Sequence, residues 1–298
     1  MDAKTEPQSR GNSAGGVNAL VAEFVRALSA DVSGPPLELP SFPEVALRLQ
    51  RALTDSEIDV GRVVSVLGGD AVLASRVLSL ANSAALNRSG KSIVDLKLAV
   101  SRVGFDTLRT AAVSFALAQL RKASDYRPVE KQLTALWQES VGTAAMSFVL
   151  SRKLKLLSAD SAMLAGLVSG VGKLYLLTRS SKFPALFADA ASYEEIERDW
   201  HPAVAKSILE NWHMPAEIVD AVAAMRDASI DPTDDVQLAD LLSISMLLHS
   251  LGGTPDMLAA ALVGNHCARR VGVSMDFCTV FLAESSSEVN ALRDALGR

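Results

Sequence analysis

Apolar residues recur at three- and four-residue intervals along almost the whole chain, the spacing of helices rather than strands. Asn18 to Ala30 sets Leu20, Val21, Phe24, Val25 and Leu28 on one stripe. Gly34-Pro35-Pro36 breaks the chain after it. Ser41 and Glu44 then fit a capping box, with Pro43 suited to the first turn, and predict a helix to about Leu53. Asp59 caps a short helix whose inner face is Val60, Val63, Val64 and Leu67, and Gly68-Gly69 ends it. Asp70 caps the next, with Leu73, Val77, Leu80 and Ala81 on one face. Ser92 and Asp95 repeat the capping-box pattern, followed by Ile93, Leu96, Val100 and Val103, and Gly104 stands where a C′ glycine belongs. Phe105 to Leu120 is a longer apolar helix.

Arg121 to Pro128 is polar, holds a proline and marks a boundary between two lobes. Beyond it the pattern predicts helices at about 129–154, 159–180, 202–212, 215–227, 233–250, 256–270 and 286–296. There is no Asn-Gly or Asp-Gly hairpin signal, no alternating strand and no fixed-period repeat. The fold class is therefore all-α: a polar, disordered tail over 1–16, an N-terminal helical lobe over 17–122 and a larger helical lobe over 123–298.

Composition sharpens this picture. Of 298 residues 49% are hydrophobic but only 5% aromatic, so Leu, Val and Ala must fill the core. The 29 basic and 34 acidic residues give a net charge of −5, which argues against nucleic acid as a partner. Cys267 and Cys278 form no Cys-x-x-Cys and read as reduced structural thiols. No apolar run reaches the ~18–20 residues that span a bilayer, and the N-terminus lacks the apolar core of a signal peptide, so the expectation is a cytoplasmic protein without a membrane anchor.

Most chemical motifs fail on detail. Ser169-Gly170-Val171-Gly172-Lys173 superficially suggests a phosphate loop, but the loop's first glycine falls on Leu167 and Leu174 replaces the Ser/Thr that meets magnesium. His201, His213, His249 and His266 form no metal-ligand spacing. His201 precedes Pro202 at an expected helix N-cap, where capping explains it as well as function does. Asp59 to Ala81 imitates a helix-turn-helix, yet its second helix opens Asp70-Ala71-Val72-Leu73 with only Arg76 basic, which does not suit base reading. Arg121-Lys122 and Arg152-Lys153-Leu154-Lys155 read as solvated helix ends. No nucleophile elbow or paired carboxylates with a matching base emerge.

Three ordered blocks carry a resemblance. Leu39-Pro40-Ser41-Phe42-Pro43-Glu44-Val45-Ala46 is similar to the pattern LPxLPxVA. Asp70 to Ala84 is similar to DPxLxxRLLxLANSA, with Ala71 in place of the proline, and Leu98 to Arg109 is similar to AIxxLGxxxLR. Over about residues 37 to 250 the chain resembles the HDOD family, bacterial signalling proteins that look like degenerate relatives of the HD-superfamily phosphohydrolases. The second lobe resembles the HD half. The metal ligands of those enzymes run His, then His-Asp, then Asp, and the resemblance places them at Glu139, at Ser169-Gly170 and at Asp240.

Glycine has no side chain and a serine hydroxyl is a poor ligand beside imidazole or carboxylate. The resemblance therefore implies no metal, no cofactor and no catalytic residue. It implies a non-catalytic regulatory or scaffolding module whose partners are signalling proteins, with the oligomeric state undefined. It also places Glu139, Ser169, Gly170 and Asp240 close together and marks His201 and Lys173 as further functional residues. Two other readings remain: a phosphohydrolase with a rebuilt metal site, and a nucleotide- or nucleic-acid-binding regulator without chemistry. The expected partner surface is the polar turn Asn82, Ser83, Asn87 and Arg88 with Arg109. The alternative is that Asn82 and Ser83 only tie neighbouring backbone groups together.

Overall fold

A computed structural model describes residues 11–35, 37, 39, 43–55, 57–87, 89–180, 190–225 and 235–297. Every regular element among them is helical. The first part of the chain forms α1 (Gly11–Val32), α2 (Glu44–Leu53), α3 (Val60–Leu67), α4 (Ala71–Ala81) and α5 (Leu96–Arg121). A 310 segment, Ser124–Val129, follows where the polar break was expected. Then come α6 (Glu130–Leu154), α7 (Ala159–Val168), α8 (Val171–Ser180), α9 (Ala190–Asn211), α10 (Ala216–Ala224) and α11 (Leu238–Leu251). The chain closes with α12 (Pro255–Leu262), α13 (His266–Val271) and α14 (Met275–Gly297).

Local chemistry sets most boundaries. Asp59 accepts from the Arg62 N–H, and Asp70 accepts from the N–H groups of Val72 and Leu73, so both act as N-caps. Asp95 caps α5 by accepting from the Leu98 N–H, so the helix starts after Asp95 and not at Ser92. Gly104, with φ 78° and ψ 170°, kinks α5 instead of ending it. Ser41 lies outside the described residues, and Pro43 stands just before α2, not inside its first turn.

Five expectations need correction. The first helix begins at Gly11, earlier than Asn18, because a ladder held by the Leu20–Leu28 stripe extends at low cost once nucleated. The expected helix 159–180 is broken at Ser169-Gly170. Helix α9 starts at Ala190 and runs through Pro202, so His201 lies inside a helix and is not its N-cap. Its buried residues Ile196, Val204, Ala205 and Ile208 hold the helix across a residue that usually interrupts one. The expected helix 256–270 is two helices, separated at Gly264 (φ 71°) and restarted by Asn265, which caps Ala268. The last helix starts at Met275 because Cys278 and Phe281 extend its buried face.

Core packing is continuous from Phe24 to Leu296 and crosses the 121–128 break. Helix α1 lies against α9, and Asp31 accepts from Tyr175 Oη at 2.9 Å and from Arg179 Nη2 at 2.7 Å on α8. Burial, then Asp31, pushes the Tyr175 phenol up to about 12. Helix α14 packs on α4, α5 and α6. Contrary to the sequence expectation, Ala159–Ser180 is long and apolar enough to cross a membrane, but 89% of that window is buried inside the fold.

Candidate functional site

The turn between α7 and α8 is built by small residues under tight packing. Gly166 lets α7 approach α6 so closely that a Cβ there would stand 2.7 Å from Ala144 Cα. Ser169 donates its hydroxyl proton to the Gly166 carbonyl at 2.8 Å. Gly170 faces α6: a Cβ there would meet Leu136 Cδ1 at 2.7 Å and Ser140 Oγ at 2.8 Å. Gly172 faces α9, where a Cβ would meet His201 Nδ1 at 2.5 Å and the His201 carbonyl at 2.6 Å. His201 is only 1% exposed, so it is a packed interior residue with no open approach.

One turn further, Lys173 brings three helices together. Its Nζ lies 3.1 Å from Glu197 on α9 and 3.6 Å from Glu139 on α6. The expected functional residues Glu139, Ser169, Gly170, Lys173 and His201 therefore all belong to the α6–α8–α9 junction. Asp240 is engaged elsewhere. Its carboxylate, fully buried at the start of α11, accepts from the Gln237 N–H at 2.9 Å and pairs with Arg270 of α13, whose side chain is 2% exposed. Its hydrogen-bonded partners are Gln237 and Arg270, not the residues of the Glu139 group. This pairing holds the Arg270 guanidinium charged, and burial, then Asp240, pushes the Cys267 thiol up.

These residues do not fit the metal that an HD relationship implies. Gly170 offers no ligand atom, Ser169 offers only a neutral hydroxyl, a weak metal ligand, and a guanidinium pairs with Asp240. Among the described residues no group of three or more His, Cys, Asp or Glu side chains could hold a metal ion. No metal-dependent step can be derived from this arrangement.

The turn after α4 points inward. Asn82 donates Nδ2 to the carbonyls of Leu78 (2.9 Å) and Ile93 (2.7 Å) and accepts the Ile93 N–H at 2.8 Å. Ser83 donates to Leu80, and Asn87 donates to Lys91 and accepts from Ser89. Arg109 reaches the Leu53 carbonyl and Asp106. These side chains stitch their own loop to its neighbours. Arg88 lies outside the described residues.

Two readings of basic runs change. Arg152 pairs with Glu288 at 2.7 Å and donates to the Ala85 carbonyl, and Lys153 pairs with Glu284 at 2.7 Å, so this run fastens α6 to α14. Arg121 is not a freely solvated helix end, because it lies 5.9 Å over the Trp137 ring. Beside it opens a cavity of about 730 Å³ between the ends of α5, α11 and α14, which no sequence motif marked.

Comparison with known proteins agrees with this helical arrangement. A structure from Shewanella amazonensis SB2B, provisionally named a metal-dependent phosphohydrolase, superposes with a TM-score of 0.77 at 22% identity, covering 94% of this chain and 99% of that one. An HDOD domain protein of unknown function from Geobacter sulfurreducens gives 0.62 at 22% identity, covering 93% and 96%. A provisionally named signal transduction protein from Marinobacter aquaeolei VT8 gives 0.60 at 20% identity, covering 94% and 66%. An uncharacterized protein of Treponema pallidum (strain Nichols) is 22% identical over 210 residues, 65% of this chain, which spans only 39% of that protein's length. At these identities the structures establish the fold. The assignment comes from the HDOD domain pattern itself, which matches residues 39–228, from the Leu39-Pro40 block through the α6–α8–α9 junction, and so this chain belongs to the HDOD family.

Proposed function

We propose that the chain is a non-catalytic regulatory module of bacterial signal transduction that works through protein contacts. The observation that carries this reading is how the α7–α8 turn and Asp240 are used. At the positions where an HD enzyme grips its metal, this chain has a self-bonded serine, a glycine wedged against Leu136 and Ser140, and an aspartate locked to an arginine. A metal centre there would need side chains the packing has no room for and a carboxylate freed from its guanidinium. The name of the Marinobacter relative points toward signalling, and that of the first Shewanella relative toward phosphohydrolysis.

In this reading the partner surface belongs to the first lobe, beside the Asn82–Ile93 stitch. That stitch presents Val94, 84% exposed, and Leu98, 53% exposed, on a firm support. The deciding experiment is elemental analysis of protein purified without a metal-binding tag, run beside a phosphatase assay with and without chelator. The expected result is far less than one metal per chain and no chelator-sensitive activity. About one iron, manganese or zinc per chain with activity that a chelator abolishes overturns the proposal in favour of an enzyme.

A further inference from the structure

The cavity between the ends of α5, α11 and α14 has a charge problem that the protein does not solve by itself. Its wall carries Arg121, Trp137, Gln138, His249, Arg293 and Asp294. Among the described residues neither Arg121 nor Arg293 has a carboxylate within ion-pair distance, although Lys153, Lys173, Arg152, Arg179 and Arg270 all do. Behind the wall, Arg76 is 6% exposed and is held by two neutral acceptors, Ser114 Oγ at 2.5 Å and the Leu296 carbonyl at 3.1 Å. Burial lowers Arg76 to about 10, and the nearby charge of Arg121 adds to that in the same direction.

A smaller space of about 180 Å³ on the other side of Arg121 is lined by Lys122, Arg127 and Glu130, so positive charge continues around this edge. Arg121 and Arg293 each sit in or next to the last turn of a helix, whose dipole supplies only about half a negative charge at its end. Asp294 is the single carboxylate on the wall, and Glu139 acts on His249 from α6. Burial lowers His249, Glu139 opposes that, and Arg293 adds to it. His249 therefore faces the space as a neutral hydrogen-bonding ring near pH 7 rather than as a third fixed cation.

We propose that this cavity binds a small phosphate-bearing molecule, with Arg121 and Arg293 as its two anion clamps and Gln138 and His249 as its neutral hydrogen-bonding partners. Guanidinium forks match phosphate oxygens in a bidentate fashion, and a lone carboxylate on the wall favours ligands with more than one negative charge. The volume is within the range of about 300–1,000 Å³ that holds small ligands and accommodates a molecule the size of a mononucleotide. The site shares Arg121 and Trp137 with a small apolar space that reaches Gly170 of the α7–α8 turn, but it does not rest on the non-catalytic reading. A phosphate ligand here would regulate an enzyme or a scaffold alike.

The test is calorimetry on the full chain with inorganic phosphate, pyrophosphate, AMP and ADP, at constant ionic strength set with sodium chloride. At least one phosphorylated probe is expected to bind saturably with one site per chain. Arg293→Ala changes an exposed side chain on α14 and should weaken that binding about tenfold or more while leaving the melting temperature of the free protein unchanged. Arg121→Gln should weaken it similarly. Arg127→Ala, outside the larger cavity, should change it far less. No saturable binding by any of the four probes overturns the proposal, as does binding that survives both Arg293→Ala and Arg121→Gln. Metal content plays no part in this outcome, so the result stands separately from the elemental analysis above.

Discussion

Removing Arg270 should expose how much the fold depends on the pair at the start of α11. Asp240 is fully buried and the Arg270 side chain is 2% exposed, so neither charge has water to fall back on. Deleting one partner of a buried pair costs about 3–5 kcal/mol, because the other charge is stranded. The Gln237 N–H still bonds the carboxylate at 2.9 Å, and a bond to a charged group is worth about 1.5–3 kcal/mol, so Arg270→Met should cost near the lower end, about 3 kcal/mol. Asp240→Asn strands Arg270 instead and should cost a similar amount. The double variant removes both charges and should be at least about 2 kcal/mol more stable than the sum of the single losses predicts.

Urea unfolding reads this directly, as shifts in midpoint at constant slope. An Arg270→Met loss below about 1 kcal/mol, or strict additivity in the double variant, would show that this pair is not what holds the α11–α13 junction.

Three further outcomes follow from the packing. Gly166→Ala places a methyl 2.7 Å from Ala144 Cα, a backbone atom that cannot swing away, and should cost about 1–3 kcal/mol or more by chemical denaturation; a neutral result would mean that α6 and α7 separate freely. Asn82→Ala removes two hydrogen bonds that tie the end of α4 to Ile93 and one back to Leu78, and should cost about 2–3 kcal/mol, with faster amide exchange over 83–93; unchanged exchange there would disprove the stitch. His249, lowered chiefly by burial, is favoured neutral in the fold, so its contribution is present above its ordinary value of 6.5 and is lost as pH falls from there through its folded pKa. His249→Gln should flatten the stability profile between about pH 7 and 5, and equal slopes for variant and wild type would remove His249 as the cause.

What could be read from the sequence was local. Asp59, Asp70 and Asp95 each announce a helix start because capping involves only the next three residues. Ser169-Gly170 stood out because two small polar positions interrupt an apolar run. Tertiary packing overrode the local signals elsewhere. Pro202 reads as a helix start, yet buried neighbours carry α9 through it. The partner of Asp240 lies thirty residues on, at Arg270, a separation that no short-range pattern covers. The Arg121–Arg293 cavity was hidden for the same reason, since its two arginines come from helices far apart in the chain, α5 and α14. The resemblance placed Glu139, Ser169 and Gly170 at one junction, and the cost of an unpaired buried carboxylate called for a new partner for Asp240, but nothing in the sequence named Arg270.

The route of α14 has a consequence for how this protein is made. Ser114 of α5 and Arg76 of α4 both bind the carbonyl of Leu296, so the earliest helices are sealed by nearly the last turn described. Until residues 275–297 have left the ribosome, Arg76 lacks one of its two acceptors and an apolar seam along α4, α5 and α6 stays open. Such contacts, distant in sequence, form late and slowly. A chain halted before α14 is therefore expected to hold an incomplete, protease-sensitive core rather than a smaller stable domain.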